Sequence, residues 1–172
     1  MIKNRLFCKD MKVRMIPEEF TFFERSGKLD SDRTYTPEIP YFSWKDELGK
    51  THFSADFKGQ WIMIILFSLK CTHCRKLIDF LTSRSKNLPS DLIILCSGRN
   101  HKINELKRYF KDHNLPFIYM IEDPEAFIYS MFAQKGIPRI FLYDRNGHLR
   151  FQTRGFNQEE MVQLMSIIGR LN

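Results

Sequence analysis

No run of apolar residues in this chain approaches the ~18 that a membrane-crossing helix needs, so no membrane segment is read from it. The first fifteen residues break every apolar stretch with charge (Lys3, Arg5, Lys9, Asp10, Lys12, Arg14) and lack the apolar core of a secretory leader. A cytoplasmic location is therefore expected for the chain as written, or a periplasmic or other extracytoplasmic one if a targeting segment has been removed. Cysteine is scarce, four in 172 residues, which excludes a secreted scaffold built on disulfides. Internal repeats and low-complexity tracts are absent. Basic residues outnumber acidic ones, 27 to 20, giving a net charge of +7. They are spread along the chain rather than gathered into a tract with interleaved aromatics, so a solvated basic surface is expected and no nucleic-acid partner.

What is present is a composition of 43% hydrophobic and 27% charged residues, which suits a globular domain with a real core. The chain is organised around Phe67-Ser68-Leu69-Lys70-Cys71-Thr72-His73-Cys74-Arg75-Lys76. Before this stretch, Trp61 to Phe67 is an unbroken, β-branched-rich run that reads as a strand buried on both faces. After it, Cys74, Leu77, Ile78 and Leu81 recur at helical spacing. The cysteine pair thus falls where a strand hands over to a helix N-terminus, whose unpaired N–H groups and partial positive charge favour a thiolate. Cys71 is the expected attacking sulfur, with Lys70 and His73 as neighbouring cations that add to this effect. Cys74, one turn on and buried by its own helix, suits the resolving role. The competing assignments are an inert disulfide and half of a zinc site, but zinc needs about four ligands and Cys8 and Cys96 stand isolated. C-x-x-C near a βαβ pattern is a redox signature.

The remaining elements follow in order. Lys12–Ile16 and Phe20–Glu24 suggest a hairpin or edge extension, with residues 1–40 forming an N-terminal β extension to a domain of residues 41–172. Phe42-Ser43-Trp44 and Thr51-His52-Phe53 flank a turn, with His52 expected on the strand surface. Leu92–Cys96 reads as a second core strand ending at Ser97-Gly98, with Cys96 as packing. An amphipathic helix to about Asn114 and a third strand at Phe117–Met120 come next. Asp123 with Pro124 is expected to cap a short helix carrying Phe127, Ile128, Met131 and Phe132. Asn146-Gly147 marks an antiparallel hairpin. Asn157 with Glu160 marks the start of a final helix.

With C-x-x-C at the first strand-to-helix turn and Gly136-Ile137-Pro138 opening the terminal hairpin, residues 41–170 resemble the thioredoxin superfamily. Asp46–Lys50, Phe57–Trp61 and Gly136 to Gly147 most resemble its TlpA-like thiol:disulfide oxidoreductase and redoxin branch. The resemblance implies an α/β, thioredoxin-like fold with a mixed central sheet flanked by helices. It further implies that Pro138 is a cis proline beside the disulfide and that the Ile137 backbone pairs with a substrate chain. Three positions depart from the pattern. Lys70 replaces a common tryptophan, Ile65 replaces the buried acid of thioredoxin, and Arg139 replaces a usual threonine. The expected activity is exchange of a Cys71–Cys74 disulfide with protein or peptide thiols, by a monomer that needs no cofactor or metal but has an upstream electron donor or acceptor. The alternatives are a peroxiredoxin-like peroxide reductase, for which Ser68 has the right spacing but Ile64 replaces a proline, and a redox-silent binding module.

Overall fold

The computed structural model describes residues 37–170. The strand-like runs at Lys12–Ile16 and Phe20–Glu24, together with Cys8, lie outside the described residues. Five strands form the central sheet: β3 (Trp61–Phe67), β4 (Leu92–Arg99), β5 (Ile118–Asp123), β6 (Arg139–Tyr143) and β7 (Leu149–Arg154), in the spatial order β5-β4-β3-β6-β7. β3, β4 and β5 are parallel, whereas β6 runs antiparallel to β3 and β7 to β6. A separate two-stranded hairpin, β1 (Ser43–Lys45) and β2 (Thr51–Phe53), precedes them. Among the described residues are four α-helices, α1 (Thr72–Ser83), α2 (Ile103–Phe110), α3 (Phe127–Phe132) and α4 (Gln158–Gly169), and two short 3-10 helices at Ser54–Phe57 and Ser85–Asn87. The mixed sheet flanked by helices is the thioredoxin-like α/β arrangement.

β3 lies at the centre of this sheet because its side chains are apolar on both faces. Met63, Ile65 and Phe67 pack with α1, α2 and α4, in a cluster that includes Cys74, Leu77, Leu106 and Leu164. Ile62, Ile64 and Leu66 pack the other way, against Phe42, Trp44, Phe57 and the α3 residues Ile128 and Phe132. The β6–β7 turn is set by Gly147 at φ 81° and by Asp144, whose Oδ1 accepts the N–H groups of Asn146 and His148. Residues 37–40 join this turn: Ile39 N–H donates to the Gly147 carbonyl and Leu149 N–H to that of Pro37.

Three local expectations are corrected. His52 is not a surface residue: it is buried, pairs across the hairpin with Trp44, stacks on its ring and lies 2.8 Å from Asp46. That hydrogen bond holds the Asp46 carboxyl below its usual range. β4 does not stop at Ser97-Gly98 but runs to Arg99, because Gly98 has no Cβ and Leu106 of α2 closes directly onto its backbone. A Cβ there would stand 2.5 Å from Leu106 Cδ2. The short helix does not begin at Pro124. β5 continues through Asp123, and α3 starts at Phe127 after Ala126 turns through φ 56°.

Asp123 nonetheless serves the helix start from a distance. Its buried carboxylate accepts the N–H groups of Ile128 (3.1 Å) and Tyr129 (2.9 Å) and the Ser97 hydroxyl (3.3 Å). Replacing it with alanine leaves three buried donors unpaired, so Asp123→Ala is expected to lower unfolding free energy by about 2–4 kcal/mol. Asp123→Asn, which keeps one acceptor, should lose less. Urea titration of both variants decides this, and equal losses would show that packing rather than the carboxylate holds the helix.

Candidate active site

The parallel register of β3 and β4 brings the residues just beyond both strands to one edge of the sheet. From β3 the chain passes through Ser68-Leu69-Lys70 to Cys71, which is the N-cap of α1 with extended backbone (φ −97°, ψ 117°). Its sulfur takes the place of the usual capping oxygen. The Cys74 N–H donates to Cys71 Sγ at 3.4 Å, so one of the helix's unpaired amides already faces that sulfur. Cys71, Cys74 and Cys96 are free thiols. Cys71 is partly exposed, while Cys74 and Cys96 are fully buried. Burial pushes the Cys74 thiol well above its ordinary range, and its neighbour Cys71 adds to that shift. The Ser68 backbone amide pulls the other way but does not prevail. Burial alone raises Cys96. The two sulfurs of the motif are therefore unlike: one open and held at a helix end, the other desolvated and protonated at neutral pH.

Across from Cys71 stands the loop before β6. The Ile137–Pro138 peptide is cis, and the Ile137 carbonyl oxygen lies 4.0 Å from Cys71 Sγ. Residues 66 positions apart thus meet at the opening. Gly136, at φ 75°, turns the chain into this loop. Arg139 follows Pro138 and is almost wholly buried, its Nε and Nη2 donating to the Lys135 carbonyl at 3.2 and 2.7 Å. Lys70 and His73 are both exposed beside Cys71. Ile65 lies in β3 opposite Cys96 of β4 and Ile140 of β6, so the floor beneath Cys74 is apolar.

The sequence did not single out His101, which reads as loop after β4. It is 3% exposed, and its Nε2 lies 3.1 Å from the Leu69 N–H and 3.0 Å from Ser68 Oγ. A backbone N–H can only donate, so Nε2 is an acceptor and the ring proton sits on Nδ1, which faces Glu105 Oε2 at 3.5 Å. Ser68 Oγ in turn accepts the Lys70 N–H at 3.3 Å. One buried imidazole thereby holds the three residues that deliver Cys71.

Residues 36–152, more than half of the chain, match the model of the AhpC/TSA family. The chain belongs to the AhpC/TSA family. No curated protein matches it. Among solved structures it is similar to a candidate protein disulfide isomerase from Bacteroides thetaiotaomicron, at 23% identity and TM-score 0.70, covering 81% of this chain and 91% of that one. It is also similar to a thioredoxin-family thiol:disulfide interchange protein from Chlorobium tepidum (22%, TM-score 0.58, 78% and 97%). A third similar structure is a secreted disulfide oxidoreductase of Mycobacterium tuberculosis (15%, TM-score 0.59, 73% and 95%). Across this AhpC/TSA chain such likeness establishes the thioredoxin-superfamily fold.

Two outcomes follow from the geometry. Iodoacetamide near neutral pH should label Cys71 in the reduced folded protein and leave Cys74 and Cys96 untouched, with all three labelled in denaturant. Because the Cys74 shift is upward, its labelling should begin only as the pH rises far above neutral, and mass spectrometry of labelled peptides would reveal the reverse order. His101→Ala should speed hydrogen exchange at the Leu69 amide roughly five- to tenfold, the worth of one lost hydrogen bond. His101→Gln, whose amide oxygen can accept the same N–H, should restore much of the protection. Equal exchange in the two variants would deny His101 this anchoring role.

Proposed function

We propose that the chain is a thiol:disulfide oxidoreductase that exchanges a Cys71–Cys74 disulfide with the thiols of proteins or peptides. The observation that carries this proposal is the placement of Cys71 Sγ, partly exposed, at the start of α1 and 4.0 Å from the Ile137 carbonyl. In the reducing direction the Cys71 thiolate attacks one sulfur of a substrate disulfide, forming a mixed disulfide and releasing the other sulfur as a thiolate. Cys74, having lost its proton, then attacks Cys71 Sγ, closing the Cys71–Cys74 disulfide and releasing the substrate's second thiolate. Two electrons pass from the dithiol to the substrate, and an upstream dithiol donor restores the pair. Oxidation of a substrate dithiol is the same sequence reversed.

In this mechanism Ile137 offers its backbone to an extended substrate segment beside Pro138, while Lys70 and His73 stabilise the attacking thiolate. The desolvated Cys74 stays a thiol until the mixed disulfide forms, which keeps it from competing for substrate. The unit is a monomer in this proposal, with residues 41–172 as the thioredoxin-like domain and residues 1–40 as its extension. Its resemblance to a secreted oxidoreductase supports an extracytoplasmic place of work over a cytoplasmic one. Peroxide reduction at Cys71 is the weaker assignment. Ser68, which such chemistry would turn to the peroxide, is engaged with His101 and the Lys70 N–H, and Cys74 is only one helical turn from Cys71.

Insulin reduction driven by dithiothreitol, run beside peroxide consumption, tests the proposal. Wild type should accelerate insulin reduction and Cys71→Ser should lose the acceleration. Cys74→Ser should accumulate mixed disulfides through Cys71, whereas Cys71→Ser should accumulate few. Peroxide consumption without insulin reduction would replace the proposal, and trapping by Cys71→Ser rather than Cys74→Ser would reverse the two roles.

A further inference from the structure

Four consecutive carbonyls lead into β6, and three of them are bound by the protein's own donors. Arg139 holds that of Lys135, the Gly155 N–H holds that of Pro138 at 2.8 Å, and the Tyr129 hydroxyl donates to that of Gly136 at 3.3 Å. The fourth, that of Ile137, faces Cys71 Sγ. The Gly136 carbonyl and the Ile137 N–H belong to one planar trans peptide, so they point in opposite directions, and a hydroxyl that fixes the first also fixes the second. The Ile137 N–H has no partner among the described residues. Tyr129 is itself firmly placed. It is 4% exposed, its N–H and that of Ile128 donate to the Asp123 carboxylate, and the Arg99 guanidinium lies 4.4 Å from its ring centroid. Arg99 and Asp123 are partners in register at the ends of β4 and β5. The Nε of Arg99 has no hydrogen-bond partner among the described residues, and the guanidinium rests on the ring face.

We propose that Tyr129 is a positioning residue for substrate: its hydroxyl holds the Gly136–Ile137 peptide so that the Ile137 N–H, together with the Ile137 carbonyl, meets the backbone of an extended segment lying at Cys71. This rests on the thiol–disulfide exchange proposed above and names the side chain that orders its substrate-binding backbone. An extended chain pairs with a facing residue through one N–H and one carbonyl, and both are Ile137's here. Glycine confines the peptide that follows it less than any other residue, so the outside hold on Gly136 matters. Without the hydroxyl that peptide rocks among orientations, only some of which offer the N–H to substrate. The same hydrogen bond polarises the peptide and strengthens the N–H as a donor. Tyr129 touches neither sulfur, and the exchange itself is unchanged. A disulfide that has no backbone amides makes no use of the Ile137 N–H and reports on the sulfurs alone.

The test uses the reduced full chain and two oxidants: an uncharged peptide closed by a disulfide between two cysteines, and bis(2-hydroxyethyl) disulfide. Single-turnover oxidation of the Cys71–Cys74 pair is followed by acid quench and alkylation, and the readout is the ratio of the two rate constants, peptide over small disulfide. Tyr129→Phe keeps the ring and removes only the hydroxyl, and it should lower that ratio roughly fivefold, the worth of one hydrogen bond. A loss of packing or stability would slow both oxidants alike and leave the ratio where it was. If Tyr129→Phe does not fold, Arg99→Met takes its place: it frees the ring face but keeps the hydroxyl, and should lower the ratio roughly twofold. An unchanged ratio in the folded variant overturns the role of Tyr129 while leaving disulfide exchange intact. Failure of both disulfides to oxidise the wild-type pair overturns the exchange and this role with it.

Discussion

The first backbone amides of a helix have no partner within it, and here the sulfur of Cys71 accepts one of them. The rest of the fold serves to put that contact where another molecule can reach it. β3, apolar on both faces, fixes the start of the helix at the centre of the sheet. The parallel β4 beside it brings His101 under the intervening loop. The antiparallel β6 returns the chain so that Ile137 closes the other side. If any of these moved, the sulfur would still cap a helix but would face nothing.

The same helix end makes the two sulfurs unequal. Cys71 lies outside the first turn and meets both solvent and an amide; Cys74 lies inside it and meets Leu77, Ile78 and the underside of β3. Desolvation penalises charge, so the inner sulfur holds its proton at neutral pH. Three residues of spacing, on a helix that packs one face into the core, are enough to leave one sulfur accessible and the other buried.

Much of this was legible in the sequence because it is local. The strand-to-helix handover at Cys71 is written in the switch from an unbroken apolar run to a 3.6-residue period, and the terminal hairpin in Asn146-Gly147. Contacts between distant segments were not legible. His52 read as a surface residue because the cross-strand register that sets it against Trp44 depends on the turn between them. Asp123 read as a local helix cap, although its acceptors reach five and six residues ahead to Ile128 and Tyr129. His101 carried no motif. The available clue was topological, since residues that follow two adjacent parallel strands emerge at the same edge of the sheet.

The three departures from the thioredoxin pattern act on one quantity, the charge around the cysteines. Thioredoxin's buried acid puts a negative charge, or a proton acceptor, beneath the second sulfur. Ile65 removes it and leaves an apolar floor, which explains why burial dominates at Cys74. Lys70 adds a cation in front of Cys71, and Arg139 another behind Pro138. The site has exchanged an internal carboxylate for cations at and near its surface, so the fixed charge around the cysteines lies toward the opening while the floor beneath Cys74 is apolar.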